Sequence, residues 1–260
     1  MAEYLMGIDA GTGSVRVALY DFRGQNRAYH IEEYATTYPK NGWAEQDDKG
    51  WWAALTKAIP ECIKKAGIGP DNIAAITCDA TTNTLVYLGE DDESVRPPIL
   101  WMDVRATEEA SFIDEIRDDY EATRFYKPSF RADTMVPKCM WVKKHEPENW
   151  AKTKTIMEFE DWLNWKLTGK KSVCMSIAAF RWNYDDKNGG YPIDFYNAVG
   201  LDDVVEKFPK DIYRVGEIIG NVSREAAQVF GLSTKTVVVE GTADCNACLF
   251  GVGGVRPNGM

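Results

Sequence analysis

A glycine-rich segment between two apolar runs constrains the fold of this chain more than any other feature. The runs cover residues 4–8 and 15–20, and the sequence Gly-Thr-Gly-Ser at residues 11–14 joins them. In the second run, apolar residues occupy every other position, which is the period of a strand. Residues 27–34 form a third strand-like segment after the turn "DFRG". The chain is therefore predicted to begin with a meander of three strands.

The loop at residues 11–14 does not match the two common phosphate-binding patterns. A dinucleotide fingerprint needs a third glycine and a following helix, whereas a Walker-type loop needs a lysine, and this segment has neither. Two interpretations remain open. The glycines either supply only the backbone angles of a tight hairpin, or the turn binds phosphate through N–H groups and the hydroxyls of Thr12 and Ser14. Asp9 favours binding, because a carboxylate ending an apolar strand needs a cation or donors.

Helix and strand patterns alternate after the meander. Asp47 or Asp48 is expected to cap a long helix that Gly67 ends, and Pro60 within it predicts a kink or an early end. Further strands are predicted at residues 72–80, 84–91 and 236–241, and further helices at 138–145, 158–167 and 223–230. This order predicts an α/β domain with a mixed β-sheet flanked by helices.

Composition and charge argue against several classes of protein. The 260 residues carry a net charge of −10 and no Lys/Arg run longer than two, so nucleic acid is not an expected partner. A membrane is not expected either, because no apolar stretch is long enough to span one and the first residues lack signal-peptide features. The six cysteines are interpreted as reduced thiols of a cytoplasmic protein. With two histidines, histidine-based triads and metal sites are poor hypotheses.

Six motifs in a fixed order resemble one family. The segment "GIDAGTGSVRVALYDFRG" resembles the first phosphate loop of the actin-like ATPase superfamily, in the form found in the FGGY carbohydrate kinases. The other five, which resemble segments of the same kinases, are "WAEQDDKGWW", "ITCDATTNTLVYLGEDDESVRPPILWMDVRA", "VPKCMWVKKHEPENW", "EFEDWLNWKLTGK" and "VVVEGTADCNACLFGVGG". The fourth motif carries the family's paired lysine and tryptophan as Lys138 and Trp141, although Met135 and Cys139 depart from the stricter pattern.

The resemblance implies a ribonuclease H-like domain of the actin-like ATPase type. Because members of the family are roughly twice as long and have two such domains, residues 1–241 are expected to be the amino-terminal, sugar-binding domain. Residues 242–260 are expected to be the truncated start of the carboxy-terminal domain. The resemblance further implies ATP-dependent phosphorylation of a sugar or polyol, with ATP and Mg²⁺ as cofactors. This part alone is expected to be inactive, and the full-length protein is expected to form a homodimer.

Phosphoryl transfer to a hydroxyl needs a base, a metal ion and donors to the phosphates. The resemblance assigns the base to Asp244 and the Mg²⁺ ligand to Asp9. It assigns the ATP phosphates to Gly11, Thr12, Gly13, Ser14 and Arg16. It assigns the sugar to Ala80, Thr81, Thr82, Trp101, Asp103 and Arg105.

Without the resemblance, purely structural explanations remain open for three of these residues. Asp244 is equally suited to cap a helix over residues 246–250. Arg16 is nearly as well explained as an ion-paired arginine of a strand, and Arg105 as an ion-pair partner that holds Asp103 in place. The segment "CDATTNT" lacks the residues typical of xylulose and glycerol kinases and looks more like ribulose- or ribitol-type members. A neutral pentulose or pentitol is therefore the expected substrate.

Two other classes of protein remain as alternatives. The first is a catalytically inert sugar-binding module or regulator that keeps the fold without the reaction. The second is a thiol oxidoreductase built on the CxxC motif at Cys245 and Cys248, because such a pair at a helix start is a known redox arrangement. No thioredoxin-like pattern surrounds the motif, so a packed pair of small residues is the preferred interpretation of these cysteines.

Overall fold

A computed structural model gives the structure of residues 3–123 and 129–254. The strands are β1 (Tyr4–Ala10), β2 (Ser14–Asp21), β3 (Asn26–Glu33), β4 (Thr36–Thr37), β5 (Glu45–Gln46), β6 (Ile73–Ala80), β7 (Leu85–Leu88), β8 (Thr155–Glu158), β9 (Ser172–Cys174), β10 (Asp211–Tyr213), β11 (Ile218–Asn221) and β12 (Val237–Ala243). The α-helices are α1 (Asp48–Ala66), α2 (Thr107–Ile116), α3 (Met135–His145), α4 (Pro147–Lys152), α5 (Phe159–Thr168), α6 (Met175–Arg181), α7 (Ile193–Ala198), α8 (Arg224–Phe230) and α9 (Asp244–Gly251).

The central sheet has six strands in the order β11-β12-β6-β1-β2-β3. The first three strands of the chain pair antiparallel as the predicted meander, whereas β1, β6 and β12 pair parallel to one another. The predicted mixed α/β sheet is therefore confirmed. Because the three central strands are parallel, their carboxyl ends meet at one edge of the sheet.

Two apolar cores stabilise this arrangement. The larger one contains buried side chains of α1, α5 and α8 together with those of the central strands. The second contains side chains of the β7–β8 pair and of α2, α3 and α7. Within the described ranges, no helix combines the length and the apolar character that crossing a membrane requires.

Helix α1 shows both the value and the limit of local sequence signals. Its caps are as predicted: the Asp47 side chain accepts the N–H of Lys49, and Gly67 adopts a left-handed conformation with φ of 67°. The predicted early end at Pro60 is wrong, because the helix continues to Ala66. Buried residues on both sides of the proline, among them Ile59 and Cys62, pack into the larger core. This tertiary packing offsets the hydrogen bond that proline cannot donate.

Strand β12 approaches β6 unusually closely near the end that leads to Asp244. The register between the two strands shifts between Val239 and Thr242. A Cβ atom on Gly241 would lie only 1.7 Å from the carbonyl oxygen of Cys78. A side chain at this position would therefore have to push the two strands apart.

We expect Gly241→Ala to lower the free energy of unfolding by about 1–3 kcal/mol or more, the range for overpacking a tight interior. Urea unfolding followed by circular dichroism measures this loss. Gly7→Ala in β1 is the matched control, because its Cβ would meet no atom within 4 Å. Equal losses in both variants would contradict the steric explanation.

Candidate active site

Three carboxylates lie together at the carboxyl ends of the parallel strands. Asp9 is near the end of β1, Asp79 is near the end of β6, and Asp244 directly follows β12. Asp9 and Asp79 are register neighbours on adjacent strands. Together with Arg16, the three aspartates line a cleft of about 470 Å³. The structure therefore brings the residues predicted for metal binding and for base catalysis into one place.

Arg16 neutralises part of this negative charge. Its Nε lies 2.6 Å from one carboxylate oxygen of Asp9, and its Nη2 lies 2.5 Å from the other. The hydrogen bond to Asp9 is the main reason that the pKa of Arg16 is raised. A Cβ atom on Gly11 would lie 2.7 Å from Arg16 Nη2. Gly11 thus gives the guanidinium room to lie against the loop.

Asp79 is a site residue that the sequence reasoning missed. Burial first, and the nearby Asp9 second, raise the pKa of Asp79 to about 7. The carboxyl group therefore binds a proton far more readily than an exposed aspartate, and it hydrogen-bonds to Asp9. Its signal was present in the sequence, because Asp79 ends an apolar strand in the same way as Asp9 does.

Asp244 begins α9, so this helix starts two residues before the predicted 246–250 segment. One carboxylate oxygen accepts the N–H of Cys245 at 2.7 Å. Burial raises the pKa of Asp244, the charge of Asp9 adds to the shift, and the cations Arg16 and Arg181 oppose it. The N-cap position is occupied by Ala243, so the alternative that Asp244 caps this helix is wrong. Asp244 instead lies in the first turn of α9 and lines the cleft.

In the glycine loop at residues 11–14, backbone carbonyls accept hydrogen bonds, whereas two backbone N–H groups have no acceptor among the described residues. The Tyr34 hydroxyl donates to the carbonyl oxygens of Gly11 and Ser14. The side chains of Thr36 and Gln46 donate to the carbonyl oxygen of Thr12. Within residues 3–123 and 129–254, nothing accepts the N–H groups of Thr12 and Gly13. A turn with this polarity suits anionic oxygens.

Trp101 connects the loop to the segment predicted to bind sugar. Its indole Nε1 donates to the Thr12 hydroxyl at 2.9 Å, and its ring is partly exposed. The Thr84 hydroxyl accepts the backbone N–H of Trp101 at 3.3 Å. These hydrogen bonds therefore join the glycine loop to the segment that carries Trp101 and to the turn after β6.

The turn that follows β6 contains polar groups without partners. Ala80 is fully buried, and the Thr81 hydroxyl bonds to that of Thr84 at 2.9 Å. The Thr82 hydroxyl and Asn83 Oδ1 are buried and bond to no described residue. Asn83 has a φ of 60°, and asparagine is among the few residues that tolerate this conformation. Unpaired buried polar atoms are costly, which marks this turn as a candidate ligand site.

Asp103 and Arg105 belong to a buried ion-pair network. Asp103 is fully buried and accepts N–H groups from Ala44 and from both the backbone and the side chain of Arg105. Arg105 also pairs with Glu45 at 2.8 Å. Its guanidinium lies over the ring of Trp43 at 4.0 Å. A direct contact between Asp103 and a sugar would require one of these donors to move away.

Lys138 joins two of the predicted sugar-binding segments. It is fully buried, and its Nζ donates to the carbonyl oxygens of Asn83 at 2.6 Å and Leu100 at 2.7 Å. Burial lowers its pKa to about 8. The sequence singled out Lys138 through its motif but gave it no role, because its partners are far away in the chain. We infer that it fixes the Asn83 turn against the segment that carries Trp101.

The cysteines of the CxxC motif are not packed as the sequence reasoning preferred. Cys245 and Cys248 are both exposed on α9, and both line the cleft with Asp244. The other four cysteines are buried free thiols.

A second acidic cluster is enclosed inside the domain. Glu160, Cys174 and Glu240 are buried, and one potential ligand atom from each lies within 4.8 Å of the others. Asn164 Nδ2 donates to both glutamates. Burial, reinforced by Asp161, raises the pKa of Glu240 to about 8, so the cluster holds protons at neutral pH. It is separate from the residues that line the cleft.

Known proteins of one family match almost the whole chain. The model of the FGGY family of carbohydrate kinases, N-terminal domain, matches residues 4–251. A xylulose kinase from Staphylococcus epidermidis is 28% identical over 247 residues, which are 95% of this chain and 48% of that protein. An autoinducer-2 kinase from Salmonella choleraesuis is 27% identical over 98% of this chain and 48% of its own length.

A solved structure gives the same result at the level of the fold. The crystal structure of a xylulose kinase from Brucella ovis superposes with a TM-score of 0.85 and 25% identity, over 97% of this chain and 51% of that chain. The expected actin-like, ribonuclease H-like fold is therefore confirmed. The chain spans about half the length of the curated relatives that it matches.

We expect Lys138→Met to lower the free energy of unfolding by about 1–3 kcal/mol, because two buried carbonyls lose their donor. Lys144→Met on the same helix is the control, since Lys144 is exposed and makes only long ion pairs. Thermal unfolding followed by circular dichroism gives both values. A Lys138→Met variant as stable as Lys144→Met would contradict the positioning role.

Proposed function

This chain belongs to the FGGY family of carbohydrate kinases, and we propose that it forms the sugar-binding half of an enzyme that phosphorylates a neutral sugar or polyol. The acceptor is a hydroxyl of a pentulose or pentitol such as ribulose or ribitol, and the donor is ATP. In this proposal residues 1–241 are the amino-terminal domain, and residues 242–260 begin the second domain. The observation that carries it is the loop with free N–H groups beside three converging aspartates.

The residues of the cleft fit a nucleotide and Mg²⁺. The N–H groups of Thr12 and Gly13 have no acceptor among the described residues, and phosphate oxygens would supply one. Asp9 and Asp79 offer the carboxylate oxygens that Mg²⁺ prefers. Mg²⁺ supplies, when bound, positive charge that neutralises the phosphates. Arg16 adds a cation next to the loop and is proposed to contact the phosphates as well.

Asp244 is the proposed general base. It would accept the proton of the attacking sugar hydroxyl as the new bond to phosphorus forms. Burial raises its pKa, which makes the carboxylate a stronger base than an exposed aspartate. Its bond to the Cys245 N–H fixes one carboxylate oxygen, and the other oxygen, which accepts no hydrogen bond from the described residues, would take the proton.

The sugar is proposed to lie between the turn after β6 and Trp101. Thr82 and Asn83 provide polar atoms that lack internal partners, and Trp101 provides an apolar wall. The negative charges of Asp9 and Asp244 near this site disfavour an anionic sugar. Direct contacts of Thr81, Asp103 and Arg105 with the sugar stay predictions. In the present geometry the carboxylate of Asp103 is bonded to the guanidinium of Arg105.

Sugar binding without turnover is the second candidate function for these 260 residues. The observation in its favour is that the chain spans about half the length of the curated kinases it matches. Both functions require the same sugar site. They differ in whether phosphoryl transfer accompanies binding, and a kinase assay separates them.

In the full-length product of the reading frame that encodes this chain, Asp244→Asn should lower kcat by about 10²–10⁴-fold, because a general base is lost. The dissociation constant of the sugar should change little. Asp118→Asn is the control, because Asp118 is highly exposed and outside the cleft. A coupled ADP-release assay with a panel of pentuloses and pentitols measures kcat. Unchanged turnover together with lower thermal stability would mean that Asp244 only stabilises the first turn of α9.

A further inference from the structure

Strand β3 leaves one edge of the central sheet open. It is the last strand in the sheet order, and β2 is the strand that it pairs with. The N–H of Gly11 bonds to the carbonyl of Ser14. The backbone N–H and C=O groups of the even-numbered residues of β2 therefore point towards β1, and those of the odd-numbered residues point towards β3. The β2–β3 register then directs the backbone groups of Arg27, Tyr29, Ile31 and Glu33 away from the sheet.

The side chains of the same four residues are exposed. Tyr29 is 62% exposed and Ile31 is 47% exposed. The intervening residues, such as Ala28, face helix α1 on the other side of the strand. The open edge therefore combines backbone groups that no described strand pairs with and a stripe of side chains in the order positive, aromatic, aliphatic, negative.

The opposite edge of the sheet is shorter and less regular than β3. Strand β11 has four residues, its register is irregular, and Lys170 Nζ donates to the carbonyl of Ile219 at 2.8 Å. Such short, irregular or lysine-covered strands are how proteins prevent edge pairing. Strand β3 has eight residues without proline or lysine, and the contact from outside is a 3.3 Å bond from Lys65 Nζ to the Tyr29 carbonyl.

We propose that β3 is the docking surface for a second copy of this chain. The two β3 strands would pair antiparallel about a two-fold axis at His30. In that register Tyr29 lies opposite Ile31 of the second copy, and Arg27 lies opposite Glu33 of the second copy. Each of these pairs occurs twice, as an isologous interface requires. The two six-stranded sheets then form one continuous sheet.

Charge and space both favour this occupant. Asp21 engages Nε and Nη2 of Arg27, which leaves Nη1 for the opposing glutamate. A groove of about 540 Å³ runs along residues 26–31 and Lys65, so the edge is accessible. Opposite charges that face each other across strands are favourable, and so are aromatic–β-branched pairs. The cleft stays open in the dimer, because Asp9 is on β1, two strands away from this edge.

Sedimentation equilibrium of the wild-type chain at about 100 µM should give the mass of a dimer. Even an interface of modest affinity is populated at this concentration. Ile31→Lys should raise the dimer dissociation constant by about tenfold or more, because a lysine on an edge prevents pairing. Ile218→Lys on β11 is the matched control, since Ile218 is 60% exposed on the opposite edge. It should leave the dimer unchanged.

Charge reversal tests the register itself. Arg27→Glu and Glu33→Arg should each be monomeric, because each places like charges opposite each other. An equimolar mixture of the two variants should form a heterodimer, in which every pair is again of opposite charge. Circular dichroism verifies that both variants are folded.

Three results would overturn the proposal. If the wild-type chain is a monomer at this concentration, β3 does not pair with a second copy of this chain. A dimer that Ile218→Lys disrupts and Ile31→Lys does not would place the interface elsewhere. Folded charge variants that stay monomeric when mixed would exclude this pairing.

Discussion

Asp9, Asp79 and Asp244 lie together because β1, β6 and β12 run parallel and end at the same edge of the sheet. Three carboxylates in one half-buried cleft repel one another, and two features of the structure reduce this repulsion. Arg16 forms a bidentate pair with Asp9, and the raised pKa of Asp79 allows it to hold a proton. A magnesium ion would relieve the same repulsion, which fits the phosphoryl transfer proposed above.

The parts of the site that are proposed to bind sugar and phosphate are connected by two long-range contacts. Trp101 bonds to Thr12 of the glycine loop. Lys138 bonds to the Asn83 turn and to Leu100, next to Trp101. These bonds join segments that are distant in sequence and hold the turn after β6, the Trp101 segment and the glycine loop next to one another. The lysine of the fourth motif, Lys138, thereby receives a physical explanation.

The sequence predicted the features that depend on neighbouring residues. The β-meander, the caps of α1 and the membership in a family were all readable from short patterns, and all are confirmed. The features that depend on distant contacts were missed or wrong. Asp79 gains its role from the parallel register with β1, and Asp103 accepts the N–H of Ala44, which is distant in the chain. Pro60 remains helical because packing on both sides holds α1 together.

Calorimetric titration of this chain with neutral and acidic sugars tests the central claim most directly. We expect a neutral pentulose or pentitol to bind in about the millimolar range or tighter, and gluconate not to bind. Thr82→Val should weaken binding by about 0.5–1.5 kcal/mol without loss of stability, because this hydroxyl has no internal partner. Thr56→Val in α1 should leave the affinity unchanged. A preference for the acidic sugar, or an unchanged affinity in Thr82→Val, would contradict the account.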